Sequence, residues 1–204
     1  MLYSKKAGVL AAFLAILLLV PSGIHAFNGN SLIGAGLNAG AFFPTVSDDS
    51  SPNINNNLAL KFDIALRLTR EWELEAGFGY IRNGLFQCGT RVADIHSYPM
   101  AVNIRRNLYT WGIFIPYLKA GAGYVLNDID LSGISGKAGI ENTYSLNGGL
   151  GMDIHLTKKF IFNFDFGYMY YKPDIRIRHN GTDEKISFDM SGITATVGLR
   201  FYFR

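Results

Sequence analysis

The sequence predicts an all-β protein, an eight-stranded antiparallel transmembrane β-barrel with short periplasmic turns and long external loops. Three observations predict it. The N-terminus carries an export signal, apolar residues recur with a period of two in eight separate segments, and the connections between those segments alternate short and long.

Lys5 and Lys6 form a positive n-region, residues 7–20 are an unbroken apolar run, and residues 21–26 end in the small residue Ala26. That order is a secretory signal peptide. Its apolar run of 14 residues falls short of the ~20 that span a bilayer as a helix. Cleavage after Ala26 divides the chain into a signal peptide, 1–26, and a barrel, 27–204, exported through the inner membrane to the outer one. Ile24 is bulky for its place two residues before the cut, so the site can shift slightly.

The barrel portion has 178 residues (204 less 26), a single-domain length. Without Lys5 and Lys6 it holds 17 basic and 16 acidic side chains, a net of +1, which gives no case for nucleic acid. Charged residues are 17% of the chain against a usual ~25%. With 23 glycines and 14% aromatics, the mix suits a wall with lipid on one side. Cys88 is the one cysteine and falls in a predicted loop, an incidental thiol.

In a strand, successive side chains point to opposite faces. Segment 31–43 sets Ile33, Ala35, Leu37, Ala39, Ala41 and Phe43 against Gly34, Gly36, Asn38 and Gly40. Segment 58–69 is clearest: Leu58, Leu60, Phe62, Ile64, Leu66 and Leu68 oppose Lys61, Asp63 and Arg67. Segment 72–82 opposes Trp72, Leu74, Ala76, Phe78 and Tyr80 to Glu73, Glu75, Gly77 and Gly79. Segment 96–108 opposes Tyr98, Met100, Val102 and Ile104 to Pro99, Ala101, Asn103 and Arg105. Segment 114–126 opposes Leu118, Ala120, Ala122, Tyr124 and Leu126 to Tyr117, Lys119, Gly121 and Gly123. Segment 143–156 opposes Tyr144, Leu146, Leu150, Met152 and Ile154 to Ser145, Asn147, Asp153 and His155. Segment 160–171 opposes five outward aromatics from Phe160 to Tyr168, and Tyr170, to Asn163, Asp165 and Gly167. Segment 193–203 opposes Ile193, Ala195, Val197, Leu199, Phe201 and Phe203 to Thr194, Thr196, Gly198, Arg200 and Tyr202.

Each segment is near the ~9–11 residues that cross a bilayer at a tilt. An even count returns both ends to one side. Short turns fall near 70–71, 107–110 and 157–159, and long loops at 44–57, 83–95, 127–142 and 172–190. Within the last loop, 174–179 and 185–190 alternate around Asn180-Gly181, which predicts a hairpin above the membrane. The apolar phase switches between Met190 and Ile193, which predicts a bulge near Ser191-Gly192. Residues 108–126 carry only Lys119 as a charge and could pass for a membrane helix, but Pro116, Gly121, Gly123 and the period of two favour a strand.

The inward face carries Lys61, Arg67, Arg105, Lys119 and Arg200 against Asp63, Glu73, Glu75, Asp153 and Asp165. Five charges of each sign inside a barrel that side chains just fill predict a paired network, since an unpaired buried charge is costly. Glu73 and Glu75 therefore read as structural rather than as an acid–base pair. At the external ends the inward residues are Phe42, Ile81, Val125, Met169 and Tyr171. An apolar upper lumen above a charged floor is expected to accept a small hydrophobic molecule and to stop ions. The Gly-x-Gly pairs lack a strand-to-helix setting, so they read as room for large side chains across the lumen rather than as phosphate loops. His96, His155 and His179 have no ligand spacing, and His96 faces away from Ser97, so no catalytic residue, metal or cofactor is expected.

The ending, with Gly198, Phe201 and Phe203, is similar to the terminal signal read by the barrel-assembly machinery, although Arg204 follows the aromatic. Residues 116–124 (PYLKAGAGY), 164–170 (FDFGYMY) and 198–203 (GLRFYF) resemble the fifth, seventh and eighth strands of the OmpW-like family of small outer-membrane barrels. The resemblance implies passage or binding of small hydrophobic molecules, with lateral release into the membrane. The expected partners are outer-membrane lipid, the assembly machinery and a small hydrophobic ligand. The alternative is a structural or adhesive barrel acting through its external loops.

Overall fold

A sheet with one apolar and one polar face has to hide its polar face and its edges when it stands in lipid, and closing on itself does both. In the computed structural model of the protein this is what the chain does. The structure describes residues 33–45, 53–54, 57–87, 90–131, 137–179 and 182–203. The expected signal peptide, Cys88 and the Asn180-Gly181 pair lie outside the described residues.

In chain order the strands are β1 (Ile33–Pro44), β2 (Asn53–Ile54), β3 (Asn57–Arg67), β4 (Trp72–Gln87), β5 (Thr90–Asn107), β6 (Phe114–Leu131), β7 (Lys137–Ile140), β8 (Thr143–His155), β9 (Phe160–Tyr171), β10 (Asp174–His179), β11 (Thr182–Ser187) and β12 (Gly192–Phe203). Eight of them form a closed antiparallel ring, β1-β3-β4-β5-β6-β8-β9-β12, with β12 paired back to β1. All eight period-two segments are therefore wall strands, and residues 108–126 are a turn followed by strand.

Following paired residues once round the ring, from Ile33 through Leu66, Leu74, Ile104, Ala120, Gly148, Tyr168 and Ile193, returns to β1 at Phe43, ten residues from the start. Ten residues at ~3.3 Å each, spread over eight strands ~4.8 Å apart, tilt the strands by about 40°. At that tilt about 10 residues cross the ~25 Å apolar band of an outer-membrane barrel. β4 with 16 residues, and β5 and β6 with 18 each, overshoot the band.

The inward and outward faces follow the sequence phase along every strand. Leu37, Leu146, Phe166 and Leu199 are exposed, and Asn38, Asp63, Glu73, Arg105 and Arg200 are buried. Met100 keeps the outward phase yet is buried, because Phe78 and Tyr124 flank it on the paired strands.

The second long loop is the main difference from expectation. Most of 83–95 is strand, with β4 and β5 paired up to Gln87 and Thr90 and one register irregularity between Leu85 and Phe86. β6 continues likewise to Leu131, paired with β5 as far as Ala93. Above the membrane the alternation keeps its phase and reverses its sense. Asp94, His96, Asp128 and Asp130 point outward to water, while Ala93, Ile95 and Ile129 point inward.

A second sheet, β11-β10-β7, stands at this external end. The predicted hairpin is present, with His179 opposite Thr182. Lys185 binds Asp174 at 2.8 Å and Glu141 at 3.4 Å. The phase switch before β12 is not a bulge but a break over residues 188–191. Backbone bonds replace the ladder there: the Met190 N–H donates to the Tyr171 carbonyl at 3.2 Å, and the Thr45 N–H to the Ser191 carbonyl at 2.9 Å. Lys172 closes the break against Asp189 at 2.8 Å. Partial burial by itself raises the Asp189 carboxyl, but hydrogen bonds from Lys172 and Ser191 outweigh it and hold the group below its ordinary range.

Candidate functional site

The lumen has three layers. Its floor lies toward the end where β1 begins, β12 ends and the short turns lie, the periplasmic end by the usual asymmetry of such barrels. Arg200 of β12 is the centre of the floor. Its Nη2 donates to Asp63 and to Glu75, each at 2.6 Å, and its Nη1 donates to Glu73 at 2.8 Å. A planar guanidinium with five donors suits three carboxylates from two neighbouring strands better than an ammonium would. Arg105 of β5 pairs with Asp153 of β8 and stands 3.7 Å from Glu73. Lys61 pairs with Glu75, Lys119 with Asp165, and Arg67 approaches Glu73 at 3.9 Å. All ten sequence-predicted lumen charges are thus brought into one set of pairs.

Neutral groups complete the floor. Asn38 donates to Asp63 at 2.6 Å. The Tyr202 hydroxyl donates to Glu73, and that of Tyr117 to Asp165 at 3.2 Å. The Arg105 guanidinium lies 3.5 Å over the centroid of Tyr117, and that of Arg67 lies 4.4 Å over Tyr202. Glycine makes room for these side chains. A Cβ at Gly36 would stand 2.9 Å from an Asp63 carboxylate oxygen, and one at Gly151 would overlap the Tyr117 ring.

At the external end Phe42, Ile81, Val125, Met169 and Tyr171 do come together, all at most 6% exposed. They do not line an open mouth. Ala59, Ala93, Ile95 and Met190 pack among them, with Ile129, Ile140 and Phe188 against the cluster, so the upper lumen is plugged mainly by apolar side chains. Beside them Asn83, Ser97 and Asn127 are buried, and the Ser97 hydroxyl donates to Asn127 at 2.8 Å. Sequence reasoning missed Ala93 and Ile95 because they fell in an expected loop, and Met190 because it was placed before the phase switch. Their signal was the reversed alternation.

Between plug and floor lies a chamber of about 100 Å³. Ile81 and Met169 form its upper side, and Lys61, Lys119 and Asp165 its lower side. Ala59, Gly77, Gly79, Ala101 and Gly167 leave the space between. The Asn103 Oδ1 is buried there without a hydrogen-bond partner, so the chamber is apolar with isolated polar points.

The sequence matches the outer membrane protein beta-barrel domain family over residues 12–201. The chain belongs to that family. Its wall also superposes on solved outer-membrane barrels. OprG from Pseudomonas aeruginosa aligns with a TM-score of 0.70 at 16% identity, over 88% of this chain and 100% of that one. AlkL, determined in lipid bilayers, aligns at 0.61 with 16% identity, over 90% and 95%. Outer membrane protein W of E. coli aligns at 0.57 with 17% identity, over 87% and 100%. Identities this low show the fold alone, and at that level the resemblance to the OmpW-like barrels holds. No curated protein matches the chain. Within the outer-membrane barrel family, the terminal motif of this chain lies on β12. There Phe201 and Phe203 make an edge-to-face pair 5.1 Å apart on the outer face, and Gly198 lies close to Asn38 inside.

Proposed function

We propose that this outer-membrane barrel takes a small, predominantly apolar molecule from the external side into the lumen and does not conduct ions. One observation carries the reading: a small chamber lies between a mainly apolar plug and a floor of paired charges. The floor offers no unpaired field to draw an ion through, and breaking it exposes buried charge. The plug is the adaptable side. Met169 and Met190 are unbranched, and Met190 sits on the irregular segment 188–191 rather than on a strand. A cavity of ~150 Å³ holds benzene, so a ligand of that size enters only when plug side chains move. In the same reading Gly198, Phe201 and Phe203 serve the barrel-assembly machinery, and the outer face meets membrane lipid.

Uptake into proteoliposomes tests this. Small apolar solutes are expected to enter faster than into empty liposomes, charged solutes of equal size are not, and planar bilayers should show no ion steps. Met169→Asp should abolish the uptake while leaving the barrel folded. Uptake unchanged by that substitution, or steady ion conductance, would refute the proposal.

A surface-interaction reading has its own observation, the β11-β10-β7 sheet. Among the described residues, β11 and β7 each lack a strand partner on their outer side. Deleting residues 174–187 should then abolish surface binding and leave solute uptake alone, the reverse of the Met169→Asp pattern.

A further inference from the structure

The three short turns at the terminal end of the barrel differ in chemistry. The β3–β4 turn carries Arg70 and Glu71, and the β8–β9 turn carries Lys158 and Lys159. The β5–β6 turn, residues 108–113, carries no charge and holds Leu108, Tyr109, Trp111 and Ile113. Tyr109 is 80% exposed and Trp111 79%, among the most exposed large apolar side chains described.

This turn has a fixed shape. Trp111 and Phe114 exchange both backbone hydrogen bonds, at 2.8 and 3.0 Å, around Gly112 and Ile113. Gly112 has φ of 61°, the left-handed conformation that a two-residue hairpin asks for at its first central position. The Leu108 N–H donates to the Pro116 carbonyl at 2.8 Å, and the His155 N–H to the Ile113 carbonyl at 2.9 Å. The backbone thus holds the turn against its own strands while its large side chains remain exposed.

We propose that the β5–β6 turn is embedded in the phospholipid of the periplasmic leaflet, so that this side of the barrel sits deeper than the sides carrying Arg70-Glu71 and Lys158-Lys159. Continuity identifies the occupant. Along β6 the exposed outer residues Leu118 and Phe114 run without a charged break into Ile113 and Trp111, while on β5 the exposed Arg106 stands between Ile104 and Leu108 and pairs with Glu71 of the β3–β4 turn at 3.9 Å. The surface that meets lipid along β6 therefore goes on through the turn. The indole N–H and phenol of Trp111 and Tyr109 suit the headgroup boundary, where one end of a ring is dry and the other wet. The proposal does not depend on the lumen reading, because the turn lies outside the lumen.

The protein has two tryptophans, Trp72 and Trp111, which makes the test direct. Trp72→Phe leaves Trp111 as the only indole. The variant is refolded into phosphatidylcholine vesicles with or without bromine on the acyl chains. Emission from Trp111 should be blue-shifted, quenched several-fold by the brominated lipid and little affected by aqueous iodide. If Trp72→Phe does not fold, the difference between the wild type and Trp111→Phe reports the same indole. Emission of a water-exposed indole, quenched by iodide and indifferent to bromolipid, overturns the proposal. Shielding that appears only at high protein-to-lipid ratio also overturns it, because the turn is then covered by a second copy.

Discussion

Arg200→Leu is expected to destabilise the barrel by about 3–5 kcal/mol, the loss typical of removing one partner from a buried charge network. The substitution leaves Asp63, Glu73 and Glu75 in a lumen where all three are at most 2% exposed. Lys61 and Arg67 remain nearby, but Lys61 stands 3.9 Å from Asp63 and Arg67 3.9 Å from Glu73, too far to replace bonds of 2.6–2.8 Å. Urea unfolding in lipid vesicles, followed by tryptophan emission, measures the loss. Arg106→Leu is the control. Arg106 also faces a carboxylate, Glu71 at 3.9 Å, but that pair is exposed, so the change should cost about 0–1 kcal/mol. Equal losses for the two substitutions would show that the floor is not a network.

The second large effect belongs to the outer face. Phe166 lies near the middle of β9, between Leu150 and Ala195 on the flanking strands, with its ring exposed. Phe166→Arg should cost about 2–4 kcal/mol in a bilayer, and Tyr144→Arg, at the external end of β8, only about 0–1. Both side chains point outward, so the comparison isolates depth. The same unfolding measurement applies, and a cost at Tyr144 equal to that at Phe166 would mean that the apolar band is misplaced along the wall.

The parts of this architecture that could be read from the sequence are those where one face meets lipid. Along β3 or β9, every second residue is apolar because nothing else is tolerated there, and the charges between them have to face inward. That fixed the eight strands, both faces and the membership of the ionic floor. Reading was harder where lipid ends. The upper parts of β4, β5 and β6 keep the period but reverse its sense, with Asp94, Asp128 and Asp130 outside and Ile95 and Ile129 inside. The apolar outer face ends at that reversal, so the sequence predicts a loop where the strands in fact continue, and the outer-face pattern gives no sign that Ala93 and Ile95 belong to the plug. Asn38, Tyr117 and Tyr202 were missed in the floor for another reason. Their phase was clear, but balancing formal charges gives no place to neutral donors, although these finish the coordination of Asp63, Asp165 and Glu73.

The seam between β1 and β12 bears on how such a molecule comes into being. It joins the first and last strands of the ring through twelve paired positions, from Ile33–Phe203 to Pro44–Gly192. Until the final strand arrives, the sheet has two open edges whose N–H and C=O groups find no partner in hydrocarbon. The most distant segments in the sequence must therefore meet before any part of the wall is fully satisfied, and their meeting carries the largest loop-closure entropy in the chain. Membrane insertion and ring closure thus become a single event, and a chain that ends short of β12 has no stable resting place in the bilayer.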